Sequence, residues 1–148
     1  MDFFKKTLGI SLFLSSFAIA KAQNPSDILG VWLTADARSK IEITERNGKY
    51  FGSIAWIDQP NDASGKPRKD LENPESSLRS KSILGLENLK NFVWDKSDKR
   101  WEDGTIYDPR NGETYACQIT LKSDAKLEVR GYLGLPAFGR TEVWVKSK

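Results

Sequence analysis

Lys40-Ile41-Glu42-Ile43-Thr44-Glu45-Arg46-Asn47-Gly48-Lys49 is the stretch on which the fold turns. Ile41 and Ile43 alternate with Lys40, Glu42 and Thr44, the period of a strand with one face buried and one in water. Asn47-Gly48 then supplies two residues that tolerate positive φ. A two-residue hairpin needs such a pair to match the twist of its strands. The chain therefore turns back on itself, and a returning strand is expected from Lys49 to about Ile57, with Gly52 marking a bend or a close backbone approach.

Downstream the same grammar repeats. Strand character runs from Ile83-Leu84-Gly85-Leu86 through Leu89 to Trp94, and again from Arg100 to Tyr107. Asp108-Pro109-Arg110-Asn111-Gly112 is dense turn chemistry. Tyr115, Cys117, Ile119 and Leu121 alternate with polar neighbours, as do Leu127, Val129 and Gly131. A last strand sets Thr141, Val143 and Val145 on one face, with Arg140, Glu142 and Trp144 on the other. Between Asp58 and Lys81 the alternation is lost. Pro60, Pro67 and Pro74 punctuate a long polar loop, in which Asn73 as N-cap and Pro74 at the first helical position predict one short helix reaching Arg79.

About eight short strands in sequential hairpins, without a long helix, predict an all-β, single antiparallel up-and-down barrel. Closure removes the exposed strand edges, and eight strands leave an interior that side chains fill or one small ligand occupies. Ile41, Ile43, Ile54, Trp56, Ile119, Val129 and Val143 are the expected interior residues.

The first 22 residues read as a cleaved export signal. Lys5 and Lys6 precede an apolar run from Leu8 to Ala20, and Ala20-Lys21-Ala22 has the small-x-small form a signal peptidase cuts behind. At roughly 13 residues, the run is short of the ~20 that span a bilayer. The barrel domain is then residues 23–148, a periplasmic or secreted monomer. No cysteine follows the cut, so no N-terminal lipid anchor is expected. The chain has 23 basic and 20 acidic residues; removing Lys5, Lys6 and Lys21 with Asp2 leaves 20 against 19. That near-neutral balance gives no electrostatic basis for binding nucleic acid or anionic lipid.

Absent residues narrow the chemistry further. The chain contains no histidine, which removes Ser-His-Asp and Cys-His catalysis. A single cysteine, Cys117, makes a zinc site improbable, precludes an intrachain disulfide and reads as a buried small hydrophobe. No glycine-rich phosphate loop precedes a helix. Glu102, Asp103, Asp108 and Glu142 are the carboxylates a histidine-free hydrolase would have to use, and solvated surface acids explain them better. The expectation is a non-enzyme with no cofactor and no metal.

Two resemblances refine the barrel. Gly30-Val31-Trp32, opening the first strand, resembles the Gly-x-Trp signature of lipocalins. Arg140 stands where that superfamily places an arginine over the tryptophan, so Gly30, Trp32 and Arg140 are implied as barrel-closing residues. A second set carries a closer match: Gly52-Ser53-Ile54, Asn73-Pro74 with Leu78-Arg79, Gly85-Leu86, Trp101, Gly104 to Pro109, Gly112, Tyr115, Arg130-Gly131-Tyr132, Gly139-Arg140 and Trp144. In this combination the chain resembles the exported bacterial family known as domain of unknown function 2147. The resemblance implies a small lipocalin-like barrel in the periplasm and brings no established activity.

The candidate ligand-binding residues are Trp56, Arg79, Tyr107, Asp108 and Tyr115, placed at a barrel mouth or in its cavity. The partner expected is a small or lipid-like molecule or a piece of cell envelope. Turn-making and packing account for Asp108 and the tyrosines equally well. Asp58–Lys81 is read as a lid or as an ordered plug, with Asn73, Pro74 and Arg79 anchoring it. Arg130, Tyr132, Glu142 and Trp144 share the polar faces of two neighbouring strands. They form an outward patch suited to a protein partner, unless Trp144 is covered by the N-terminal segment or the long loop. A solid-cored barrel acting as an interaction module is therefore the alternative function, and a carboxylate-only hydrolase the third.

Overall fold

Eight strands, each antiparallel to its neighbours in sequence, wrap into a closed barrel in the computed structural model, which describes residues 23–148. The strands are β1 (Gly30–Leu33), β2 (Ser39–Arg46), β3 (Lys49–Ile57), β4 (Glu87–Asp95), β5 (Arg100–Asp108), β6 (Glu113–Ser123), β7 (Lys126–Tyr132) and β8 (Arg140–Lys146). Closure runs through β1 and β8, with Trp32 opposite Lys146 and Leu33 opposite Val145. The expected signal segment, residues 1–22, lies outside the described residues. No helix among the described residues is long and apolar enough to cross a membrane.

The Asn47-Gly48 hairpin forms as its sequence requires, with φ of 52° and 76°. Strand alternation delivers Ile41, Ile43, Ile54, Ile119, Leu121, Leu127 and Val129 to a buried core. Cys117 is fully buried in it, and burial pushes its thiol up to about 12, so it behaves as an inert apolar side chain.

Four expectations need correction. Trp56 lies outside: Lys40 pairs with Trp56 but Ile41 with Ile54, so Ala55 is an extra residue. This bulge reverses the parity of β3, burying Ile57 and leaving Trp56 42% exposed beneath the Lys40 ammonium. On β8 the expected faces are inverted. Leu127 is opposite Trp144 and Val129 opposite Glu142, and directly opposed residues share a face. Trp144 is therefore core, while Val143 and Val145 face out; the outward patch containing Glu142 and Trp144 does not form. The Ile83–Leu86 segment is loop rather than strand, although Gly85 N–H donates to Ile54 O and Ile54 N–H to Leu86 O. The short helix contracts to a 3₁₀ turn at Ser76–Leu78, because the Asn73 side chain accepts from Glu75 N–H and opens an Asx turn instead of capping a longer helix.

An up-and-down barrel has two unlike ends. The β2–β3, β4–β5 and β6–β7 turns share one end with the 3₁₀ turn Pro25–Ile28, which closes it. Trp32 Nε1 donates to Ile28 O at 2.8 Å, Trp101 Nε1 to Pro25 O at 3.2 Å, and Gln23 Nε2 to Leu121 O at 2.6 Å. Trp94 and Tyr50 pack on Trp101, with ring centroids 4.5 and 6.2 Å away. The other end carries the β1–β2 turn, the long β3–β4 loop, the β5–β6 turn and the β7–β8 loop.

Candidate functional site

Beneath those four connections the barrel interior is hollow. A cavity of about 820 Å³ opens at this end. Its apolar wall and floor come from Ile41, Ile54, Ile106, Val129 and Trp144. Its rim is charged: Asp36 and Arg38 from the β1–β2 turn, Arg68 and Lys69 from the long loop, Asp108 and Arg110 from the β5–β6 turn, and Arg140 and Glu142 from β8.

Two ion-pair systems order this rim. Arg38 pairs with Asp58 at 3.3 Å. Arg110 holds Asp108 at 2.9 Å within its own turn and reaches Asp36 at 3.5 Å. In an eight-stranded barrel the β1–β2 and β5–β6 turns face each other, so Arg110 spans the mouth. Burial works to raise the Asp108 carboxyl, but hydrogen bonds from the Arg110 side chain and N–H, with the Arg110 charge, hold it below its ordinary value. Asp36 is held low in the same way: burial opposes, while the Thr34 hydroxyl, the Arg38 N–H and the charges of Arg110 and Arg38 prevail.

The long loop is fastened by a buried carboxylate. Asp70, only 1% exposed, accepts from the Tyr107 hydroxyl at 2.6 Å and from Asn73 Nδ2 at 2.7 Å. Burial, then the Asp70 hydrogen bond and charge, push the Tyr107 phenol well above its ordinary value, which keeps it a donor. Arg79 Nε completes the knot by donating to Asn73 O at 2.7 Å. Gly112, at φ +73°, lets the β5–β6 turn press against this loop; a Cβ there would lie 2.0 Å from Glu72 O.

Of the residues singled out from the sequence, Tyr107, Asp108 and Tyr115 line the cavity together. Tyr115 Oη accepts from Asn111 Nδ2 at 3.0 Å, which fixes its ring at the wall. Trp56 is on the outer face and Arg79 is not in the cavity wall; Arg79 grips a backbone carbonyl as a loop anchor. Arg140 does not cover Trp32. That place belongs to Lys146, whose Nζ lies 4.4 Å from the indole centroid and donates to Leu29 O at 2.6 Å. Lys146 is opposite Trp32 in the register, whereas Arg140 is opposite Gly131 near the other end of β8.

Sequence reasoning missed Asp70, Asn88 and the rim cations Arg38, Arg68, Lys69 and Arg110, and gave Arg140 the wrong role. Asn88 is buried in the cavity wall, and its Oδ1 has no hydrogen-bond partner among the described residues. Only the isolated polarity of Asn88 beside Leu89 hinted at this. Elsewhere, Asp95, Asp98 and Glu102 cluster within 4.8 Å at a closed-end turn. Arg100 pairs with two of the three, Asp98 and Glu102, at 2.7 Å each.

Residues 30–146 match the family described as "Uncharacterized protein conserved in bacteria (DUF2147)". The chain belongs to that family. Among curated proteins nothing matches. A solved structure described as "Protein HP1028 from the human pathogen Helicobacter pylori belongs to the lipocalin family" is similar at 25% identity with a TM-score of 0.67, over 81% of this chain and 82% of that one. The up-and-down barrel expected from the hairpin pattern, and the lipocalin-like form that the resemblance implied, are thus the observed architecture.

Proposed function

We propose that this family member is an exported, non-catalytic barrel that holds one small amphipathic molecule in its open-end cavity. The observation that carries the reading is the cavity's asymmetry. An apolar floor built on Trp144, Ile54 and Val129 lies beneath a rim of arginines, lysine and carboxylates. Its volume of about 820 Å³ falls within the roughly 300–1,000 Å³ usual for small-molecule pockets. A molecule with an apolar body and a polar head satisfies both halves. Export is supported by Lys5, Lys6, the Leu8–Ala20 run and Ala20-Lys21-Ala22. The solid-cored alternative suits only the closed half of the barrel.

Native mass spectrometry of protein recovered from the export compartment tests the reading. The expected spectrum shows a chain beginning at Gln23 and carrying a discrete added mass. A bare mass under gentle conditions, together with no ligand-induced change in Trp144 fluorescence across an amphiphile panel, would overturn it. Trp144→Phe identifies the reporter, since Trp144 is the only tryptophan in the cavity wall.

A further inference from the structure

The loop from β7 to β8 carries chemistry that the cavity does not use. Gly131 to Gly139 runs nine residues without a charge, in a chain that is 29% charged. Within it Leu133, Leu135 and Phe138 are 64%, 63% and 82% exposed. The segment is built rather than loose. Arg130 Nε donates to Pro136 O at 2.8 Å, its Nη2 to Ala137 O at 3.3 Å and its Nη1 to Thr141 Oγ1 at 2.7 Å. Pro136–Phe138 form a 3₁₀ turn, and the loop's two ends touch, a Cβ on Gly139 falling 2.7 Å from Gly131 O. The result is a fixed apolar prong beside the cavity mouth, whose wall includes Gly131 and Arg140.

The chain as a whole is near neutral, so any attraction to a charged surface has to be local. At this end Asp36 and Asp108 are paired with Arg110 and Asp58 with Arg38, while Glu142 stands two residues from Arg140 on β8. Arg130 and Arg140 bracket the uncharged run, and neither takes part in an ion pair among the described residues. Arg130 spends its donors on carbonyls and a hydroxyl, which leaves its positive charge uncompensated.

We propose that this prong docks the barrel on an anionic lipid bilayer. Leu133, Leu135 and Phe138 enter the interfacial zone, and Arg130 and Arg140 face the headgroup phosphates. A protein partner fits less well. Three side chains of this size offer roughly 400 Å², about half of the ~800 Å² per partner in a specific protein interface. A second copy docked prong to prong would set the arginines of both copies against each other. In the docked orientation the cavity mouth faces the membrane. Docking does not depend on the cavity being filled, so the two readings fail separately.

Vesicle flotation of the processed protein from the export compartment tests this, using phosphatidylcholine alone and phosphatidylcholine with phosphatidylglycerol. The expected result is flotation with the anionic vesicles, weakened by added salt. Phe138→Asp and Leu135→Asp should each lower the partition at least tenfold with the circular dichroism of the barrel unchanged. Phe138→Trp should add a fluorescence component that brominated acyl chains quench. No flotation with anionic vesicles, an unaltered partition for both aspartate variants, or an unquenched Trp at 138 would each overturn the proposal. A concentration-dependent dimer abolished by Phe138→Asp, without flotation, would overturn it in favour of a second copy.

Discussion

The two ends of this barrel are made from the same hairpins and do opposite things. At the end plugged by Pro25–Ile28, each buried indole has a partner: Trp32 bonds Ile28 O and lies under Lys146, and Trp101 bonds Pro25 O and packs on Trp94 and Tyr50. On the floor between the two ends, opposite Leu127, Trp144 has only a long bond to Glu142, 3.3 Å, and the side of it turned to the open end is cavity. Packing is concentrated where the plug lies and open volume where it is missing. A closed barrel can separate them because its wall carries no edge that either end must protect.

The largest effect should come from breaking the closed end. Trp32→Ala removes a fully buried indole, its hydrogen bond to Ile28 O and the surface beneath Lys146. Large-to-small changes of this kind cost about 3–5 kcal/mol. Urea unfolding should register that loss as a lower midpoint at unchanged slope. A much smaller loss would mean that the plug contributes little and that the contrast between the ends is one of shape alone.

Next in size is release of the loop over the open end. Tyr107→Phe takes one donor from Asp70, which is 1% exposed. An orphaned buried acceptor costs about 1–3 kcal/mol. Because Asp70 anchors the loop and not the wall, the effect should be local. Amide hydrogen exchange is expected to quicken across residues 58–86 and stay slow in β5 and β6. Alkali should mimic the substitution. The folded Tyr107 pKa lies above its ordinary value of 10.0. Its contribution is therefore complete below pH 10 and declines only as the pH climbs past that value towards the folded pKa.

These two experiments bear on residues of very different legibility. The closed wall was readable because period-two alternation and Asn47-Gly48 are local signals, and local signals fix hairpins. Gly30-Val31-Trp32 likewise marked the first strand. What the sequence concealed was parity. The extra residue at Ala55 turns Trp56 outward, and the β7–β8 register puts Trp144 inside, ahead of the more conventional Val143 and Val145. A bulge or a register is decided by pairing with the neighbouring strand, so alternation within one strand does not reveal it. The same blindness explains Arg140 and Lys146. Both are cations on β8, and only the pairing of β1 with β8 tells which one meets Trp32. In the candidate site Tyr107, Asp108 and Tyr115 were legible because they flank a dense turn. Asp70 was not, since nothing near it in sequence announces a partner 37 residues away.

A subtler change is expected at the rim on acidification. Asp36 and Asp108 both have carboxyls held below their ordinary value of 3.8. A depressed folded pKa gives a contribution that is present above the unfolded value and lost as pH falls through the folded one. The Asp108–Arg110–Asp36 bridge should therefore hold at neutral pH and slacken only below about pH 3.8. Arg110 is 73% exposed, so salt should weaken the bridge as well. Carboxyl and guanidinium resonances followed by NMR would show both dependences. If Asp36 and Asp108 titrated as free carboxyls, the mouth would be unbridged.

The smallest effect should fall on Trp56, and its smallness is informative. By alternation alone Trp56 belongs in the interior with Ile54; the bulge places it outside, 42% exposed, with Lys40 Nζ 5.6 Å from its ring. An exposed cation–π contact is worth about 0.5–1 kcal/mol, so Trp56→Ala should cost about that much in urea unfolding. It should leave the affinity for any amphiphile that quenches Trp144 unchanged. A tenfold or greater loss of that affinity would mean that the outer face of β3 takes part in binding. The division between a packed end and a binding end would then be drawn in the wrong place.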